Sequence, residues 1–232
     1  MALPDIASRE QWLEMRTRLL AEEKELTRRR DSLNAARRNL PMVRIEKDYV
    51  FGGPDGPVHL ADLFDGRSQL IVKHIMFGPD WDAPCPSCRN FITELSEPVV
   101  ARLHSCDTTF VLVCRAPVAK IEALRASMGW TPPWYSSHGS DFNYDFQVTL
   151  DESVPQLMYN YRLEPRLITG ERSCEMPGIS CFLRADGQIF HTYSAYARGE
   201  DHLDVPYGFL DLTALGRQES WEEPKGRALS LH

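Results

Sequence analysis

Two thiols three positions apart stand in the run Cys85-Pro86-Ser87-Cys88. They follow the apolar stretch Leu70-Ile71-Val72-Lys73-His74-Ile75-Met76-Phe77 and precede residues with helical spacing. The first turn of a helix presents unpaired N–H groups and partial positive charge, and both favour a thiolate over a thiol. At such a strand-to-helix turn Cys85 lies outside the helix as the nucleophile. Cys88 lies one turn inside as the resolving thiol. Mixed-disulfide exchange needs that asymmetry, one thiolate to attack and a nearby thiol to release the product. Arg89 adds positive potential, whereas Asp80 and Asp82 oppose thiolate formation wherever they face the sulfur. Zinc is the competing use of a close thiol pair, but structural zinc takes four ligands, usually as two close pairs. Cys174 and Cys181 are too widely spaced for a usual second pair, and nothing brings His74 or His104 to them. No metal and no other cofactor is expected.

The composition narrows the setting. The chain has 232 residues, 43% hydrophobic and 25% charged, with a net charge of −7. That length supports a core without disulfide staples, as one domain with an appended element. The acidic balance argues against nucleic acid as a partner. No basic start followed by an apolar segment marks a secretory signal, and no apolar run is long enough to span a bilayer. The expected setting is cytoplasmic, with no membrane partner. In a reducing compartment a close cysteine pair is redox-active or metal-binding rather than part of a disulfide framework.

Two elements must position the thiols, and the pattern supplies both. The strand over 70–77 is apolar on both faces, as a buried parallel strand requires. Residues 87–104 carry Phe91, Ile92, Leu95, Val99 and Leu103 on one helical face. Thr108–Cys114 is a second buried strand, and Pro117 opens a further helix that Gly129 stops, with Val118, Ile121, Leu124 and Met128 inward. Short strands are expected at 43–46 and 49–51, then a turn over 52–57, an aromatic loop over 130–145 and a short strand over 146–150. Residues 151–176 read as an insertion. A hairpin over 179–193 turns at Asp186-Gly187, and a short helix lies near Tyr207–Leu215.

Residues 8–38 form one long helix, opened by a Ser8/Gln11 capping box. Trp12, Leu19, Leu26 and Leu33 recur every seven residues with Met15 beside them, while Glu22 interrupts the second apolar line. Two readings stand: an arm that pairs two copies into a homodimer, or a helix lying on its own domain. The domains are therefore 1–40, a helical arm, and 41–232, the α/β domain with its insertion.

The order hairpin, βαβ, helix, hairpin, with the cysteines after the first parallel strand, resembles the thioredoxin fold, a central mixed sheet flanked by helices. Residues 49–88, with Leu60-Ala61-Asp62-Leu63, are similar to the peroxiredoxin and thiol–disulfide reductase branch. Phe77-Gly78-Pro79-Asp80-Trp81, Cys85-Pro86-Ser87-Cys88, Gly139-Ser140-Asp141-Phe142-Asn143-Tyr144-Asp145-Phe146 and Phe190-His191-Thr192-Tyr193-Ser194 resemble the signatures of an uncharacterised bacterial thioredoxin-like family. The resemblance implies a dithiol–disulfide oxidoreductase acting on a disulfide-containing protein or a small thiol. It also implies a cis-proline opposite the cysteines, for which Pro177 is the position. Trp81, Pro84 and Pro177 are the expected substrate contacts. Peroxiredoxins carry Pro and Thr where this chain has Gly78 and Asp82, so a thiol peroxidase is an alternative without its usual pocket. A redox-silent scaffold is another. Trp130, Trp134, Tyr135, Phe142 and Tyr144 wall a groove or pack as a loop. Cys106, Cys114 and Cys181 read as core, Cys174 as a loop residue close to Pro177 that could serve as an additional resolving thiol, and His138 and His191 as structural or proton donors.

Overall fold

A computed structural model describes residues 3–151, 158–163, 174–219 and 221–225. The chain divides into two compact units, one of Pro41–Asp201 and one of Met1–Leu40 with His202–His232. Residues beyond Asp201, expected in the α/β domain, thus group with the N-terminal arm.

The larger unit holds an eight-stranded sheet. Its strands are β1 (Val43–Arg44), β2 (Val50–Gly53), β3 (Gly56–His59), β4 (Gln69–His74), β5 (Thr108–Cys114), β6 (Trp134–Ser136), β11 (Gly178–Ala185) and β12 (Gln188–Tyr196). Their order is β1-β12-β11-β4-β5-β6-β2-β3. β4, β5 and β6 are parallel, and the other pairings are antiparallel. Helices α2 (Pro86–Glu94) and α3 (Glu97–His104) join β4 to β5, and α4 (Val118–Met128) joins β5 to β6. The expected continuous helix over 87–104 breaks at Leu95-Ser96, because Pro98 has no N–H to continue the ladder. Val99, expected inward, is exposed.

Strand alternation sorts the core onto two faces. Leu70 and Val72 of β4 and Val111 and Val113 of β5 pack with Phe51, Phe64, Phe142, Phe146 and Phe182. Ile75, Phe110, Leu112 and Cys114 pack on the other face with Cys88, Ile92, Ile121 and Trp134. Every residue of β5 is buried, and each Leu, Val or Phe so buried contributes about 1.5–3 kcal/mol. The β11–β12 hairpin turns through Asp186 (φ 52°) and Gly187 (φ 73°), the pair of positive φ values that a two-residue I′ turn requires.

The aromatic loop contains β6 and a helical turn, α5 (Phe142–Asp145). Phe142 is fully buried, with ring centroids of Phe146, Phe51 and Tyr49 at 4.6, 4.9 and 5.1 Å. The polar residues around it are tethers. Lys47 Nζ binds Asp141 at 2.6 Å and Asp145 at 2.8 Å, Tyr49 Oη donates to Asp145 at 2.7 Å, and Ser137 Oγ donates to Asn143 at 2.7 Å. Trp130 and Trp134 are buried as well. The aromatics form a packed loop and not a groove wall.

Parts of the expected insertion, residues 152–157 and 164–173, lie outside the described residues. In its described parts β8 (Met158–Tyr159) pairs with β9 (Arg162–Leu163), and β10 (Cys174–Glu175) pairs with β7 (Thr149–Leu150). In the smaller unit α1 spans Arg9–Arg38, and its capping box is formed: Gln11 N–H donates to Ser8 Oγ at 3.2 Å and Ser8 N–H to Gln11 Oε1 at 2.9 Å. None of its residues is buried, and the seven-residue apolar stripe is exposed. A short helix, α6 (Val205–Leu210), is capped by Asp204, whose side chain accepts from Tyr207 N–H. Among the described residues no helix is long and apolar enough to cross a membrane.

Replacing Phe142 by Ala leaves a cavity among four aromatic neighbours. The expected loss is about 3–5 kcal/mol of unfolding free energy, read as a lower urea midpoint at unchanged slope. A near-neutral result would return this ring to the surface.

Candidate active site

β4 delivers the chain to the cysteines. Beyond its last residue the Ile75 N–H bonds to the Val113 carbonyl at 2.8 Å, so the chain follows β5 one step further. It then loops through 76–84 and returns, the Cys85 N–H bonding to the Met76 carbonyl at 3.0 Å. Cys85 is the N-cap of α2, with extended backbone (φ −49°, ψ 138°), and Pro86 fills the first helical position, where a missing N–H costs nothing. The Arg89 N–H closes the first turn on the Cys85 carbonyl at 3.0 Å.

This geometry separates the two thiols chemically. Cys85 is half-buried, while Cys88 faces the core at 4% exposure. Hydrogen bonding from the Cys88 thiol favours the Cys85 thiolate, as do the Ser87 and Cys88 N–H groups, and against partial burial these lower the Cys85 pKa to about 5. The same hydrogen bond, together with burial, pushes Cys88 well above the thiol range. Two groups act the other way on Cys88: the nearby ammonium of Lys73, and the Met76 N–H at 3.5 Å from its sulfur. Asp80 and Asp82 are exposed and contribute nothing to the Cys85 shift. All six cysteines are free thiols.

Below α2 lies a buried ion pair that periodicity did not reveal. Lys73 is 6% exposed and Glu200 is 9% exposed; they are ion-paired, and the Lys73 ammonium lies 5.4 Å from the centroid of the Phe91 ring. One signal was present, a lysine inside an otherwise apolar strand. Its partner lies 127 residues away and left no trace in the pattern.

The expected substrate contacts fare differently. Trp81 is half-buried in the cluster that also holds Cys85, Phe77, Trp130 and Ile179. Pro84 is buried, which removes it from the surface a substrate meets. Pro177 is half-buried and immediately precedes β11, whose first residue Gly178 pairs with His74. It therefore runs beside the end of β4, but its peptide bond to Met176 is trans; among the described residues Glu223-Pro224 is the cis bond. Its carbonyl is occupied by the Tyr159 hydroxyl at 2.9 Å. A cis-proline that leaves backbone free for a substrate is therefore absent at this position.

The other sulfur and imidazole groups stand elsewhere. Cys174 packs with Val148, Leu150, Tyr159 and Tyr196, apart from the cluster of Cys85 and Cys88, and its sulfur lies 3.5 Å from Met176 Sδ. Cys114 is core as expected. Cys181 is mostly buried, and burial raises its thiol to about 11. Cys106, expected in the core, is exposed in the turn after α3. His191 bonds to Ser194 Oγ at 2.7 Å among Phe146 and Phe182, on the sheet face away from Cys88, and His138 is exposed. Among the described residues no three His, Cys, Asp or Glu side chains converge as a metal site.

The alkylation rate of Cys85 by iodoacetamide is expected to follow thiolate with a midpoint at about pH 5 and to level off above it. Cys88→Ala removes the strongest donor and is expected to move that midpoint upward. Mass mapping of Cys85 separates this reaction from the other thiols. A midpoint in the ordinary thiol range in both proteins would contradict the assigned geometry.

The fold has solved counterparts. Peroxiredoxin Q from Xanthomonas campestris superposes with a TM-score of 0.50 at 11% identity, covering 75% of this chain and 98% of that one. Peroxidoxin BcpB from Mycobacterium tuberculosis gives a TM-score of 0.50 at 11% identity, covering 71% of this chain and 92% of that one. At this identity the likeness is one of fold, and it fits the mixed sheet with the cysteine turn after its central parallel strand. No curated protein matches the chain. A family profile described as bacterial protein of unknown function (DUF899) matches residues 1–230. The chain belongs to that family.

Proposed function

We propose that the protein is a dithiol–disulfide oxidoreductase that works through Cys85 and Cys88. The observation that carries this reading is the unequal pair itself: a half-buried Cys85 sulfur at the N-cap of α2, where its thiolate is favoured, and a buried Cys88 one turn inside the helix. The Cys85 thiolate attacks one sulfur of a substrate disulfide. A new S–S bond forms, the substrate S–S bond breaks, and the first substrate thiolate leaves. Cys88 then loses its proton and attacks Cys85, which releases the second substrate thiolate. The substrate gains two electrons, its two thiolates take up the Cys88 proton and one from solvent, and the protein is left as the Cys85–Cys88 disulfide. A thiol reductant returns it to the starting state. Run in reverse, the same steps oxidise a substrate dithiol.

The second step asks a deeply buried thiol to ionise. Once Cys85 is bonded to substrate it no longer needs the Cys88 proton, and the hydrogen bond that raised Cys88 is gone. Lys73 and the Met76 N–H then remain as the groups that favour its thiolate. Both thiols belong to one chain, so the chemistry needs no second copy. A thiol peroxidase is the second reading, one that the peroxiredoxin counterparts of the fold suit, but Gly78, beneath Trp81, and the exposed Asp82 stand where peroxiredoxins carry Pro and Thr.

Reduced protein mixed with glutathione disulfide is expected to lose the Cys85 and Cys88 thiols and to release both glutathione halves. Cys88→Ser should stop at a Cys85–glutathione adduct, and Cys85→Ser should release none through this pair. Wild type no faster than Cys85→Ser would reject the enzyme and leave a redox-silent fold.

A further inference from the structure

The loop over 76–84 carries Trp81 into the apolar cluster of Cys85, yet its own backbone ties are few. The Trp81 N–H reaches the Gly78 carbonyl at 3.2 Å, and the Cys85 N–H reaches Met76. What fixes the loop comes from outside it. Lys120, in the first turn of α4, donates from Nζ to the Pro79 carbonyl at 2.7 Å and to the Trp81 carbonyl at 3.1 Å. None of the described ion pairs involves Lys120, so its charge is directed at loop backbone. Hydrogen bonds from an ammonium are stronger than neutral ones. On the opposite side the Trp81 ring lies against Gly78: a Cβ there would stand 3.0 Å from the indole and 3.4 Å from Glu175 Cγ. Glu175 is itself immobilised by Arg115 at 3.0 Å and Thr149 at 2.7 Å.

We propose that Lys120 is the positioning residue of the cysteine loop, and that by holding Trp81 it makes the indole a wall against which a disulfide flanked by apolar residues is seated beside Cys85. This rests on the dithiol–disulfide reading above and names its substrate class. A peptide disulfide with an aliphatic neighbour gains contact with the indole. A small polar disulfide does not, and depends on the sulfurs alone. The thiolate is set by Cys88 and the first turn of α2, so loosening the loop changes seating and leaves acidity in place.

The test uses the full chain as wild type, Lys120→Met, Lys120→Arg and Trp81→Ala. The probes are the symmetrical disulfide of a capped Leu-Cys-Leu peptide and glutathione disulfide. Lys120→Met and Trp81→Ala are expected to raise KM for the peptide disulfide about tenfold, the loss of a charged hydrogen bond or an apolar contact. Lys120→Met should leave kcat, the glutathione disulfide rate and the pH midpoint of Cys85 alkylation within about twofold of wild type. Lys120→Arg, which keeps the charge and donors, should restore most of the KM. Amide hydrogen exchange at Trp81 and Cys85 should quicken in Lys120→Met. Unchanged peptide KM, or equal slowing of both probes with a shifted midpoint, overturns the proposal. If wild type exchanges with neither disulfide, the oxidoreductase reading and the substrate class fall together. Exchange at the loop amides then decides alone whether Lys120 holds the loop.

Discussion

A thiol buried one helical turn inside a half-exposed sulfur favours that sulfur's thiolate, and the elements around the cysteine turn set this contact. The parallel pair β4–β5 sets where the chain leaves the sheet. The return of the loop to Met76 places Cys85 at the cap of α2, outside the hydrogen-bonded turns. Pro86 then starts the helix without wasting a donor, and the helical repeat turns Cys88 inward. One spacing therefore produces two sulfurs of opposite character, one lowered to about 5 and one raised by its hydrogen bond to the other and by burial. In the proposed exchange the Cys88 thiol favours the resting Cys85 thiolate and then serves as the resolving nucleophile, so one group enters both halves of the reaction.

Buried charge gathers around this contact. Lys73 pairs with Glu200 beneath α2, and Arg115 pairs with Glu175 behind Gly78 and Trp81. Burial pushes both carboxyls up, and the cations and donors beside them pull the other way. Apolar replacements of such pairs are often neutral or stabilising, so buried ion pairs are poor evidence of stability.

The βαβ unit, the Asp186-Gly187 hairpin and the cysteine turn were readable because each rests on local chemistry: two-faced apolar strands, a turn that needs positive φ, and a Pro at the first helical position. What escaped the sequence depended on partners far along the chain. Lys73 and Glu200 stand 127 positions apart, and Lys120 meets carbonyls that no side-chain pattern displays. β6 is three residues long behind two prolines, too short for alternation to register. Pro84 looked like a rim residue, because its position next to Cys85 says nothing about which way its ring faces.

The central claim is that Cys85 and Cys88 form one reversible redox couple. An equilibrium titration in glutathione buffers, with the Cys85–Cys88 peptides mapped by mass at each poise, tests it most directly. The account predicts a single two-electron transition into the intramolecular disulfide, reversed fully by a thiol reductant. Accumulation of Cys85 only as a glutathione adduct or sulfinic acid, with Cys88 still a free thiol, would contradict it.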